Sequence, residues 1–330
     1  MKNQLILIIL SFIIGIIAFI FLGKWIGWEE IGKAFSVFTG IQGAVILFIT
    51  LIIALLGNWG WREILKDQGI DIPFLNLFKI YLGGYSIMYL FPSILLAGEF
   101  FRMYGLGKER GLSWKRTAPS VIIERVLEWT SNLLVVFLGL FLFVFKINFF
   151  SKKIILFFGA AFCFFLFAII FFYTVALRKR SIVHLIVKKY KEEQESGLIE
   201  VENQVFNYFD LKSRYLIKGL ALSFLRALVM QLRVWILILF LGENIGFLHS
   251  FLILGFSYLS SMIPIPTSLG THEAIQIGAF RSIGLPVSMA AAFTLIIRAA
   301  EIVISLFGLV YIIRMGFNLK NNIYENKQDS

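Results

Sequence analysis

Long apolar runs alternate with short polar connections along the chain, and most of the runs are apolar on every side rather than along one stripe. Runs at 5–22, 41–61, 117–145, 153–177, 216–241 and 287–313 reach or approach the roughly 20 residues needed to cross a hydrocarbon layer of about 30 Å. They predict six spanning helices. The first run, "LILIILSFIIGIIAFIFL", exceeds the apolar region of a secretory leader and is followed by "GKWIGW", with no small-residue cleavage pattern, so it is expected to stay as a span.

Two further runs are interrupted. Residues 74–106 contain "LFPSILLAGEFFR" and residues 248–283 contain "IPIPTSLGTHEA", so helix breakers and a carboxylate stand where a straight span would carry neither. Pro92 and Gly98 mark the first break; Pro264, Pro266 and Gly270 mark the second. Each run is read as a re-entrant pair of half-helices that enters and leaves the bilayer on one side, with its irregular backbone lining a polar interior. With the N-terminus in the cytoplasm, Lys2, Arg62, Lys66, Lys79, Arg102, Lys108, Arg110, Lys115 and Arg116 fall inside, together with the basic residues of 178–214 and Arg314, Lys320 and Lys327. Outside remain Lys24, Lys33, Lys146, Lys152 and Lys153, as the positive-inside rule requires.

This arrangement makes the two broken runs dip from opposite sides, each flanked by a span before and after, which is an inverted-topology repeat. Spacing agrees. Pro92 precedes Glu99 by seven residues, and Arg125 follows 26 later; Pro266 precedes Glu273 by seven, and Arg298 follows 25 later. The expected fold is an all-α polytopic membrane protein forming one transmembrane domain over 1–330. Its parts are an anchor span and external loop (1–40), a first repeat (41–145), a connecting span (153–177), a cytoplasmic loop (178–215), a second repeat (216–313) and a cytoplasmic tail (314–330).

Composition supports the class. Of 330 residues, 59% are hydrophobic, 36 are Phe and only 15% are charged, against about 25% charged in soluble domains. The net charge of +11 follows from topology, because the basic residues gather in loops beside apolar runs, and it does not point to nucleic acid. The single cysteine, Cys163, can form no intrachain disulfide. The polar stretch 178–214 is too short for a catalytic domain; Ile199, Val201, Val205, Phe206 and Phe209 fit either a helix lying on the membrane or a solvated linker. No phosphate-binding loop, Cys-x-x-Cys pair or H-E-x-x-H helix occurs, so neither cofactor nor metal is expected.

Charges inside apolar runs cost about 2.5 to 3.5 kcal/mol each on insertion scales, and so mark a polar interior. They are Glu99 and Arg102 at the first break, Glu124, Arg125 and Glu128 in "IERVLEW", Arg226 and Arg233 in "LRALVMQLRVW", His272 and Glu273 at the second break, and Arg298 and Glu301 in "IIRAAEI". Helical spacing puts Glu124 and Glu128 on one face, allows Arg298 to pair with Glu301, and stacks Arg226 and Arg233, which have no acid nearby in sequence. Two readings stay open: a lined path for a phosphate headgroup, which arginine binds through its donor fork, or buried bridges between helices. His272 reads more simply as a capping or packing residue than as a relay. Asn58, Asn132 and Gln231 are expected to hydrogen-bond between helices.

The segments "GGYSIMYLFPSILLAGEFFRMYGL", "SVIIERVLEW", "SSMIPIPTSLGTHEA" and "TLIIRAAEI" resemble the lysylphosphatidylglycerol synthase transmembrane-region family over nearly the whole chain. The resemblance implies a flippase-like module that moves aminoacylated phosphatidylglycerol between leaflets of the cell membrane. In larger relatives a soluble domain transfers lysine from lysyl-tRNA, and because the sequence ends at Ser330 soon after its last span, that domain is expected to be absent. At the second break the family often reads Pro-Gly-Gly-Leu-Gly, whereas Thr267 and Ser268 stand here, which leaves headgroup preference open. Three functions follow: a flippase for a phospholipid or lipid-linked headgroup, the membrane part of a phosphatidylglycerol lysyltransferase, or a non-catalytic partner of a separate glycosyltransferase.

Overall fold

A computed structural model describes residues 28–29, 32, 36–90, 96–146, 152–181, 183, 192–262 and 271–328. Among the described residues the chain is helical, with no strand. After a short 3-10 turn at Ser36–Thr39 come α1 (Ile41–Asp67), α2 (Phe74–Leu90), α3 (Ala97–Arg110), α4 (Trp114–Lys146) and α5 (Lys152–Leu177). Then follow α6 (Glu192–Tyr208), α7 (Arg214–Phe240), α8 (Ser250–Met262), α9 (Thr271–Ser282) and α10 (Val287–Gln328). The expected first span at 5–22 lies outside the described residues, as do Pro92, Pro264, Pro266 and Gly270.

Among the described residues, three helices are long and apolar enough to cross a membrane by length and composition: α1, α7 and the Val287–Arg314 part of α10. With 33 and 26 residues, α4 and α5 also exceed the 30 Å hydrocarbon thickness at 1.5 Å per residue. The helices flanking the breaks do not. At 17, 14, 13 and 12 residues, α2, α3, α8 and α9 run about 26, 21, 20 and 18 Å. Each pair folds back on itself: Gly98 of α3 meets the backbone of α2 at Gly84, Gly105 meets Ile80, and Gln276 of α9 donates to the Ile253 carbonyl of α8 at 3.3 Å. Neither Gly84 nor Gly98 leaves room for a Cβ, which lets α2 and α3 touch backbone to backbone. The chain enters α3 through Leu96 at φ 66°, a left-handed conformation costly for a leucine, and leaves it through Gly111 at φ 64°, where glycine carries no such cost.

The packing of α1–α4 is echoed by that of α7–α10. The α2 helix lies on α10 as α8 lies on α4, α1 touches α10 as α7 touches α4, and α3 meets α4 as α9 meets α10. At the centre α1 and α7 pack antiparallel: Thr50 faces Arg233 near one end, and Glu63 faces Lys218, at 3.7 Å, near the other. Two matching side-chain bonds tie each central helix to the hairpin after it. Asn58 of α1 donates to the Phe74 carbonyl and Gln231 of α7 to the Phe247 carbonyl, both at 3.3 Å and both sixteen residues along. The interhelical role expected for these two amides is the one they have.

Within the stretch 178–214, the described helix α6 is packed against the body of the protein rather than solvated on all sides. It buries Val201, Val205, Phe206 and Tyr208, with Phe209 just beyond, against Ile64 of α1, Leu127 of α4, Val175 of α5 and Leu216 of α7. The helix α10 continues through residues 315–328. Large side chains face outward along α5 and α10, including Leu156, Phe164, Phe167, Leu306 and Phe307, each about half exposed or more; in water such a surface would aggregate, and in lipid it is the expected exterior.

Candidate functional site: two buried ionic groups

The charged residues of the apolar runs converge from different helices. In the first group α3 contributes Glu99 and Arg102, α4 contributes Glu124, Arg125 and Glu128, and α7 contributes Arg226. Spacing of three and four residues lets each helix present these side chains on one face. Arg102 donates to Glu124 at 2.8 Å. Arg125 bridges Glu99 and Glu128, and Arg226 lies 3.3 Å from Glu128 and 3.7 Å from Glu124. Arg102 and Glu124 are 3% and 5% exposed, so neither charge could stand there without its partner.

The second group uses α9, α10, α7 and α1. Glu273 of α9 faces Arg298 of α10 at 3.3 Å; Glu301, a turn along α10, accepts from Arg233 of α7 at 2.9 Å, and Arg233 also donates to Thr50 of α1 at 3.2 Å. Glu99 with Arg125 and Glu273 with Arg298 are therefore equivalent pairs, each joining the second helix of a hairpin to the long helix after it. Helical spacing allows Arg298 to pair with Glu301, but Arg298 reaches α9 and Glu301 is used by α7. The acids opposite Arg226 and Arg233 come from α4 and α10, which no local spacing reveals. Every predicted charged site residue falls in one group or the other.

Three participants were not singled out from the sequence. The guanidinium of Arg102 lies over the rings of Trp61, 4.1 Å from its centroid, and Tyr81, 5.0 Å away, leaving its Nε and Nη2 without hydrogen-bond partners but against π-faces. Thr50 is the third. An aromatic ring or a threonine in an apolar run looks like core, and only the fold brings it to a charge. The side chain of His272 lies outside the description, and among the described residues no cluster of metal-ligating side chains occurs. Gly98 sits in the first turn of α3, beside Glu99.

Among the described residues each group is formally neutral, with three acids and three arginines in the first and two of each in the second. Removing one member of such a buried set is costly, typically about 3–5 kcal/mol, whereas the intact set adds little stability over apolar packing. Long apolar helices, outward-facing aromatics and inward-facing ions define a polytopic helical membrane protein. The chain belongs to the lysylphosphatidylglycerol synthase TM region family, whose description matches residues 8–308. It is similar to a UPF0104 membrane protein of Methanocaldococcus jannaschii, 27% identical over 312 residues covering 89% of this chain and 91% of the relative. A second UPF0104 membrane protein, of Methanothermobacter thermautotrophicus, is 23% identical over 330 residues, 95% of this chain and 97% of the relative. No solved structure matches the chain.

Proposed function

We propose that the protein is a lipid flippase, or transporter, that moves a phospholipid or lipid-linked headgroup, such as an aminoacylated phosphatidylglycerol, between the leaflets of the cell membrane. The observation that carries this reading is the pair of equivalent Glu–Arg contacts, Glu99 with Arg125 and Glu273 with Arg298, each formed where a short hairpin helix meets a long one. On this reading α2–α3 and α8–α9 are re-entrant hairpins, and the antiparallel packing of α1 on α7 makes the two halves an inverted repeat with both termini cytoplasmic. A headgroup would sit between the hairpins, its phosphate held by arginine forks and its amine by Glu99 or Glu273, while its acyl chains stay in lipid.

The two breaks, including Pro92 and Pro266, are read as the ends of half-helices that reach this depth from opposite sides. Arg102, Glu124, Arg226, Arg233 and Glu301 would shape the path. The test is reconstitution into vesicles containing fluorescent phosphatidylglycerol, with the outer leaflet bleached by dithionite. Loss of more than half the fluorescence, beyond that of protein-free vesicles, is expected; an unchanged half in every lipid tried, with and without a proton gradient, would reject the reading. Lysylated lipid made in cells expressing only this chain would favour a transferase instead.

A further inference from the structure

The side chain of Arg102 is gripped by all three of the other helices in its half. It leaves α3 against Gly84 of α2, where a Cβ would fall 2.5 Å from its Cγ, and its guanidinium lies over the rings of Trp61 of α1 and Tyr81 of α2 before meeting Glu124 of α4. Trp61 is held in turn, its indole nitrogen donating to the Ser120 hydroxyl of α4 at 3.0 Å. Trp61 and Ser120 are fully buried, and Tyr81, Arg102 and Glu124 nearly so.

The second half is built differently at the related positions. Asn58 and Gln231, Phe74 and Phe247, Glu99 and Glu273, and Arg125 and Arg298 are counterparts by their bonds, and counting from them Val234 stands for Trp61, Leu254 for Tyr81, Phe293 for Ser120 and Ile297 for Glu124. Val234, Leu254 and Phe293 share one apolar cluster, with Ile297 packed against it. Gln276 stands for Arg102. It is buried too, but it turns to its own hairpin, donating to the Ile253 carbonyl at 3.3 Å and to the Ser257 hydroxyl, both on α8. Ser257 is the counterpart of Gly84, so the two side chains start from the same place and end on different helices.

The Glu99–Arg125 and Glu273–Arg298 contacts are common to both halves and do not distinguish them. The bond of Arg102 to Glu124 does. Drawing α3 away from α4 strands two charges that water hardly reaches, whereas apolar side chains attract without direction and let one helix slide on another. We propose that Arg102 is a positioning residue that clamps the first hairpin, α2–α3, to α4, and that the second hairpin, α8–α9, is the one that moves when the protein works. The clamp stands on this geometry; its link to transport rests on the flippase reading.

The test is amide hydrogen exchange on the full chain in lipid nanodiscs, read by mass spectrometry. Amides of α9 are expected to exchange about tenfold faster than those of α3. Arg102→Gln combined with Glu124→Ile models the second half's arrangement, and because it replaces the pair rather than breaking it the protein is expected to fold. In this variant α3 should exchange about tenfold faster than in wild type, with α1 and α7 unchanged. Exchange of α9 no faster than that of α3 in wild type overturns the proposal, as does an unchanged α3 in the variant or a rise shared equally by α1 and α7. Transport is read with two exposed counterpart pairs in a Cys163→Ala background, Phe100→Cys with Trp129→Cys and Ala274→Cys with Ile302→Cys, each joined by a bifunctional maleimide. Lipid scrambling should survive the first cross-link and stop with the second; loss with the first, or survival with the second, overturns the assignment of movement. A wild-type protein that scrambles no lipid rejects the flippase reading, and the exchange result then decides the clamp by itself.

Discussion

Arg102 combines a short bond to Glu124 with two aromatic faces, so its removal leaves a carboxylate 5% exposed with only Arg226, at 3.7 Å, in reach. Arg102→Met is expected to lower stability by about 3–5 kcal/mol, seen as a fall in the thermal unfolding midpoint of the detergent-solubilised protein. Adding Glu124→Leu should recover much of that loss, since the pair costs more to break than to replace. A double variant no more stable than the single one would show that Glu124 is held by other means. The acids across from the equivalent arginines make a functional prediction instead. Glu99→Gln and Glu273→Gln should each slow lipid scrambling by about tenfold with the protein still folded, because each turns a charge-assisted contact into a neutral one. A full-rate Glu273→Gln protein would remove the second hairpin from the mechanism.

Among the described helices, α10 crosses α2 closely, where Ser86 donates to the Ser305 carbonyl and Gly308 lies against the Leu82 carbonyl with no room for a Cβ. Gly308→Leu must push two backbones apart and is expected to cost about 1–3 kcal/mol or to abolish the monodisperse peak in size-exclusion chromatography. Gly159→Leu, on α5 with open space around it, is the matched control and should leave the peak in place. Helix positions, the two breaks and the charges within them are legible in the sequence because hydropathy and breaker residues act locally. Partner choice is not. Arg226 with Glu128, Arg233 with Glu301 and Arg298 with Glu273 depend on the register of one helix against another, and α6 carries an apolar stripe that reads the same whether it meets lipid or protein.

For the molecule as a whole, the antiparallel pairing of α1 with α7 and the folding back of both hairpins predict a sidedness that can be measured. Single cysteines at the exposed positions Asp71 and Lys108, in a Cys163→Ala background, should react with a membrane-impermeant maleimide from one face of the membrane only. Cysteines at Asn244 and Pro286, also exposed, should react from the other. Labelling of Asp71 and Lys108 from opposite faces would make α2 and α3 together a single crossing and undo the re-entrant reading.

Arg226 and Arg233 are seven residues apart on α7, almost two whole turns, so their side chains leave the helix within about 20° of each other. They stand about 10 Å apart along the axis, one reaching the ions of the first half and one those of the second. The helix is therefore a shaft with two teeth cut on the same side. Turning it swings both teeth together, so rotation alone cannot loosen one ionic group and leave the other engaged.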